Sequence, residues 1–362
     1  MSKHLKSTGP TLTNVTYIGR LMVKYGLVAL VVLIVGRFFL TSLWNFWQAL
    51  NPPPPPPPSV GFGLLPTVEF PSQLSGDKPG RYSLETKTGT LPGFGDRAKV
   101  FLMPESGSSL LNDQETRQVA SVFGFVFEPE ILTARTYRFV KTQPLNSYLE
   151  IDIQDKTFSL KSNYSSHPEL FTAASMPDVG TVVKSLKSYL ASAQLLTSDL
   201  ATVSGEVVYL KSVGDKFETA VSLSEADFAR VDLLRTPIDG QFQSYTPTGG
   251  QGTISAITSS YYEGPSSILE MSYNHHPVDY SHFETYPLRS SQSAWQVLQA
   301  GEAYIAGGRN LDQAVVRHVF LGYFDSFESQ PFYQPIYVFS GDNGFLGYVS
   351  AIDPKYIQER QL

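Results

Sequence analysis

No cysteine occurs among the 362 residues. Its absence excludes a disulfide framework, thiolate metal sites and a cysteine nucleophile, and leaves a chain of this length to rely on an apolar core. Charge is scarce too: 17% of residues carry it, with a net charge of -6. No Lys/Arg cluster follows the prolines near residue 58, so the basic footprint that phosphate neutralisation requires is missing and nucleic acid is not an expected partner. There is no P-loop, G-x-G-x-x-G, G-x-S-x-G or H-E-x-x-H arrangement. "GFGLLP" and "PGFGDR" are glycine turns without the strand-to-helix context of a phosphate cradle. Carboxylates are absent from the N-terminal segment, the first being Glu69.

What that segment does contain is an apolar run. Tyr25 to Trp47 is predominantly apolar over 23 residues. At about 1.5 Å per residue this crosses a hydrocarbon layer of roughly 30 Å with some tilt. Lys3, Lys6, Arg20 and Lys24 precede it, and after Arg37 no charged residue occurs before Glu69, which puts the N-terminus in the cytoplasm. Trp44, Phe46 and Trp47 suit the far headgroup interface. The run is longer than a signal-peptide core and no small-residue cleavage site follows it, so a retained anchor is expected. Arg37 falls just past the middle of the span, where a charge is costly. Either its stem climbs to the outer headgroups, or it pairs with an acid on a membrane helix of another chain. Pro52 to Pro58 then predict polyproline II, a semi-rigid spacer of roughly 22 Å. An SH3 or WW ligand is the less favoured reading of the same prolines.

Beyond the stalk, alternating apolar positions and Gly/Pro breaks predict short strands in "GRYSLETKTG", "DRAKVFLMP", "ARTYRFV" and "SYLEIDIQDKTFSLKSNY". "NDQETRQVASVFG" predicts a helix with Asn112 as N-cap, Glu115 closing a capping box and Gly124 as the stop. A second helix starts at Pro177 and Asp178, with Val182, Val183, Leu186, Tyr189 and Leu190 at helical spacing, and is expected to divide two sheets. "GEVVYLKSV", "FARVDLLR", "GTISAITSS" and "SILEMSYN" follow as strands, then the helix "SQSAWQVLQAG" and the strands "AVVRHVFLGYF", "PIYVFSG" and "GFLGYVSAI". "GDNG" joins the last two strands as a tight turn. The fold class is α+β, with an N-terminal transmembrane helix, a polyproline linker and two antiparallel-sheet-plus-helix domains. The expected boundaries are 1–24 cytoplasmic, 25–47 membrane, 48–66 stalk, 67–176 first domain and 177–362 second domain.

The order "AWQVL", "VFLGYF", "QPIYVF", "GYVSAI" over residues 180 to 355 resembles PepSY-like domains and the YycH/YycI regulators of a cell-wall sensor kinase. The whole chain is also similar to single-pass bacterial proteins with a Pro-rich stalk, through "LPTVEFP", "ARVDLLRTPIDG" and "FLGYFDSFESQPFYQPIYVF". The resemblance implies an exported, regulatory, non-catalytic role and carries over no site residues.

Two stretches concentrate residues able to do chemistry. "YNHHPVDYSHFETY" crowds His275, His276, Asp279, His282 and Glu284, types that suit zinc. The adjacent histidines point opposite ways in a strand, however, so a Pro-turned surface loop is preferred. Glu150, Asp152 and Asp155 could be paired carboxylates or an acidic calcium-like cluster, and the solvated face of an alternating strand explains them equally. A scattered Ser-His-Asp triad has no motif in its support. "GYFDSFESQPFYQP" gathers Tyr323, Phe324, Phe327, Phe332 and Tyr333 into an expected loop, and packing of some of these rings under the sheet is the preferred reading; if several are exposed together, with Asp325 and Glu328 at the rim, the loop is a partner-binding patch, and these rings with Arg37 are the candidate protein-binding residues. No catalytic residue, metal ligand or cofactor is assigned. The expectation is a membrane-anchored binding or regulatory component of an envelope complex, its C-terminal domains outside the cytoplasmic membrane and its partner a membrane or envelope protein. An envelope hydrolase or metal-dependent enzyme, and a structural subunit of a secretion or pilus-type assembly, are the alternatives.

Overall fold

The structure is a computed structural model that describes residues 12–50, 56–73, 78–107, 112–172, 176–214, 216–309 and 311–358. Lys3, Lys6 and Pro52 to Pro55, named above, lie outside the described residues. The chain divides into two compact units, 1–57 and 58–362.

The first unit is one helix, α1, Leu12–Leu50, of 39 residues. It is longer than the apolar run because nothing between Leu12 and Leu50 breaks it. Thr16–Leu50 is long and apolar enough to cross a membrane, and none of its most apolar stretch is buried.

The second unit, 58–362, is built on three sheets. Its strands are β1 (Arg81–Leu84), β2 (Arg97–Leu102), β3 (Glu130–Ile131), β4 (Thr136–Lys141), β5 (Ser147–Asp152), β6 (Phe158–Ser162), β7 (Glu206–Val213), β8 (Lys216–Thr219) and β9 (Phe228–Leu233), followed by β10 (Ser244–Tyr245), β11 (Ile254–Ser259), β12 (Ile268–Tyr273), β13 (Asp279–Pro287), β14 (Tyr304–Gly307), β15 (Gln313–Phe324), β16 (Phe332–Tyr333), β17 (Pro335–Gly341) and β18 (Leu346–Ser350). The helices are α2 (Asn112–Val122), α3 (Val179–Ser192), α4 (Ser198–Ala201) and α5 (Ser291–Gln299).

The nine-stranded sheet runs β3-β4-β5-β6-β12-β11-β9-β7-β8. Alternation sets its faces: Leu149 and Ile151 of β5 are buried, whereas Tyr148 and Glu150 turn outward. α2 and α3 cover the inner face, where Val119, Phe123, Val183 and Leu186 meet Leu149, Leu160, Val231 and Met271. α3 starts beside Pro177 and Asp178 as the sequence predicts, with the Asp178 side chain capping it by accepting from the Thr181 N–H at 3.1 Å. The six-stranded sheet is β1-β15-β17-β18-β14, with β10 also on β15. β1 and β10 pair parallel to β15, a departure from the purely antiparallel expectation. α5 packs Trp295 and Leu298 against Phe339 and Phe345 of this sheet region. The expected turn at 341–344 is present, with Asn343 at φ 56° and Gly344 at φ 71°. The third sheet is β13-β2-β16.

Three expectations need correction. The boundary at 176 and 177 runs through the nine-stranded sheet, because β6 pairs with β12; likewise β1 pairs with β15, and β2 with β13 and β16. α3 therefore divides no sheets: it connects β6 to β7 within one. Asn112 lies inside α2, its amide donating to Gly107 O at 3.4 Å, and Glu115 pairs with Lys156 at 2.6 Å instead of closing a capping box.

Candidate functional site

Where the sheets of the second unit meet, the chain buries a charged cluster. Arg235, just past β9, has a side chain with 0% exposure. Its Nε donates to Asp325 Oδ2 at 2.8 Å, its Nη1 to Asp199 Oδ2 at 2.7 Å, and its Nη2 to the His276 carbonyl. The guanidinium lies over the Tyr333 ring, 5.5 Å from its centroid. Tyr280 of β13 donates to Asp199 Oδ2 at 2.8 Å, and the Thr197 hydroxyl donates to Asp199 Oδ1. His275 Nε2 sits 3.0 Å from Thr197 Oγ1 and 3.3 Å from Arg235 Nη1, while its Nδ1 faces Thr253 Oγ1 at 3.5 Å. Arg235 and His275 come from ends of the nine-stranded sheet, Asp325 from the end of β15, and Tyr280 and Tyr333 from the third sheet. One guanidinium thus ties all three sheets together.

Each group is buried at a desolvation cost that its partners must offset. Burial pushes the His275 pKa down and the Arg235 charge pushes it further, outweighing Asp199, so the imidazole is neutral at pH 7. Burial opposes ionisation of Asp199, but its contacts with His275, Arg235 and Thr197 more than reverse this and hold its carboxyl below the usual carboxylate range. Burial works against the Arg235 charge, and Asp325, Tyr333, Tyr280 and Asp199 restore it above the usual value. Burial raises the Tyr280 and Tyr333 phenols, which stay protonated, and Tyr280 is a donor to Asp199.

Two openings reach this cluster. A cleft of about 340 Å³ has Asp199 and Tyr280 in its lining, with Phe101, Phe283, Thr236 and Lys99 around them. Lys99 Nζ is 2.7 Å from Asp239 and 5.0 Å from the Phe283 ring centroid. The cleft combines aromatic walls, an ionised carboxylate and a cation, a combination that suits a small polar ligand or a partner's side chain. A polar crevice of about 250 Å³ is lined by Thr197, His275, Gln154 and Lys156, among others.

The sequence-predicted residues disperse. His275 and His276 are buried in the cluster, not in a surface loop. Asp279 caps its own turn through Ser281, with Oδ1 accepting the backbone N–H at 3.0 Å; His282 stands against Phe62, and the Glu284 carboxylate fills the space beside Gly61. Among the described residues no group of three or more His, Asp or Glu is arranged to hold a metal ion. Glu150 pairs with Arg138 at 2.5 Å, and Asp152 and Asp155 with Arg135 at 3.0 and 2.7 Å, so these carboxylates are spent on arginines of the hairpin. In the aromatic stretch the packed reading holds and the exposed patch does not form: Tyr323, Phe324 and Tyr333 are core residues, Phe327 and Phe332 are half-buried, and Asp325 is at 0% exposure instead of at a rim. Tyr323, Phe324, Phe332 and Tyr333 lie on strands because β15 extends to Phe324 and β16 spans Phe332–Tyr333, and Phe327 falls in the connection between them. Arg37 is exposed on α1, and no ion pair forms at its side chain among the described residues. Arg235 and Asp199 were missed; the one local signal is a charge directly after Leu233 and Leu234 and two residues before Pro237.

No family model matches the chain, and no curated protein matches it. Among solved structures, an uncharacterised protein from Eubacterium rectale ATCC 33656 shares 9% identity with it at a TM-score of 0.31, over 70% of this chain and 82% of that one. A likeness of that size carries no argument about fold or function.

Proposed function

We propose that the chain is a single-pass, N-in membrane protein that holds its second unit outside the cytoplasmic membrane as a non-catalytic binding or regulatory component of an envelope complex. The observation that carries this reading is the Thr16–Leu50 helix, which is long and apolar enough to cross a membrane and exposes its most apolar stretch. Basic residues on its N-terminal side alone support the orientation. The resemblance of residues 180 to 355 to extracytoplasmic kinase regulators supports the regulatory part. The cleft over Asp199 and Tyr280 is the candidate binding site.

Because the chain lacks cysteine, a single introduced thiol reports topology cleanly. An impermeant maleimide applied to intact cells should label Val221→Cys, whose native side is 89% exposed, and should reach Ser2→Cys only after permeabilisation. The reverse pattern overturns the orientation, and a fully soluble protein overturns the anchor. Mild crosslinking before purification should then return a defined set of envelope proteins, diminished by Phe283→Ala in the cleft.

An envelope hydrolase is the second reading, favoured by the neutral His275 beside the Thr197 hydroxyl at a polar crevice. It stands second because His275 Nδ1 faces a hydroxyl instead of an orienting carboxylate, and Arg235 competes for Nε2. Hydrolysis of envelope esters or peptides that is lost in Thr197→Val would reverse the order.

A further inference from the structure

With α1 taken as a membrane span, the reading on which this proposal rests, Arg37 stands about 18 Å of helix from Tyr25 and about 15 Å from Trp47. Nothing near it on the helix neutralises it. The Thr41 hydroxyl, one turn on, lies 2.9 Å from both the Arg37 and the Phe38 carbonyls and donates back into its own backbone. The first carboxylate of the chain is Glu69, beyond the prolines. Gly36 adjoins the arginine, and a Cβ built there meets nothing within 4 Å. A shallow groove runs over that glycine, bordered by Leu33, Arg37, Leu40 and Trp44. A partner that buries Arg37 packs along Gly26, Leu30, Leu33, Arg37, Leu40 and Trp44, whose alternating spacing of four and three is that of two helices packed side by side.

We propose that this face of α1 docks a membrane helix of a different protein, which passes closest at Gly36 and sets an Asp or Glu carboxylate at the depth of Arg37. Charge complementarity selects that occupant. A guanidinium amid lipid is retained where it pairs, and its planar fork suits a carboxylate in bidentate geometry. A second copy of this chain in parallel would bring Arg37 against Arg37 and supply no acid. A glycine beside the charge lets the partner backbone approach closely, as packing without a hydrophobic drive requires. An arginine that instead climbs to the headgroups leaves every face of α1 equivalent toward neighbours.

The test uses full-length protein in its native membrane with the photoreactive p-benzoylphenylalanine placed singly at Leu33, Leu40 or, on the far side of the helix, Val35. The Val221→Cys labelling above is run on the same cells, so a failed membrane reading shows as lost topology and a failed docking proposal as lost crosslinks with topology intact. The expected result is a crosslink from Leu33 and Leu40, at least fivefold above Val35, to one other protein, mapping to an apolar helix that contains Asp or Glu. Arg37→Leu should abolish it and Arg37→Lys keep part of it. Arg37→Glu should lose it and regain it when the partner's acid becomes arginine, which separates pairing from a general packing defect. Crosslinks to a second copy, equal crosslinks from Val35, no crosslink at all, or full retention in Arg37→Leu would overturn the proposal.

Discussion

Replacing Arg235 by methionine is the sharpest perturbation of the second unit, because the side chain keeps its bulk and loses its charge. Asp325 is at 0% exposure and receives its described hydrogen bond from Arg235 alone, its Oδ1 having no partner among the described residues. Asp199 retains Tyr280 and Thr197. The loss therefore falls chiefly on Asp325, left as an uncompensated buried charge, for which about 3–5 kcal/mol is the expected cost. Urea unfolding of the full chain in detergent, followed by Trp295 fluorescence with Trp44 and Trp47 changed to phenylalanine, should show a midpoint lowered by about 1–1.7 M at an m of about 3 kcal/mol per M. Adding Asp325→Asn should recover about 1–3 kcal/mol, since the amide removes the stranded charge. A loss under about 1 kcal/mol, or no coupling between the two sites, would refute the account of Arg235 as the tie between the sheets.

Other outcomes follow from the same geometry. His275 has a lowered pKa, so as pH falls below its ordinary value of about 6.5 the unfolded chain takes up a proton that the folded one refuses, and stability declines. His275→Gln should flatten that decline in unfolding midpoints measured from pH 7.5 to 5. Asp199, also lowered, contributes stability that is lost only as pH falls below about 4, and that acid limb should shrink but persist in His275→Gln, which removes one contact that lowers the carboxyl and keeps Arg235 and Thr197. Asp178→Ala removes the α3 cap and should cost about 1 kcal/mol in the same urea assay, with Asp178→Ser close to neutral. Phe324→Ala should cost about 3–5 kcal/mol, since the ring is at 0% exposure and meets Phe70 at 4.8 Å. Phe327→Ala, at a half-buried position, should cost under about 1 kcal/mol by thermal unfolding. Equal losses for the two phenylalanines would return the loop to the status of an open aromatic patch.

Residues close in sequence were the legible ones. The apolar run, the helix start at Pro177 and Asp178, the alternation of Leu149 and Ile151 with Tyr148 and Glu150, and the positive-φ turn at Asn343 and Gly344 each follow from backbone geometry and transfer cost over a few residues. An α+β chain behind a long apolar helix was determined by those local rules. Tertiary structure alone decided that β6 lies beside β12 and β1 beside β15, because a strand's pattern states which face is buried and not which edge it joins. It also decided that Asp199, Arg235, His275 and Asp325 meet. No spacing links four residues spread over four connections, and each alone resembles a solvated charge. Pairing is what makes their burial tolerable, and pairing exists only once the sheets have come together.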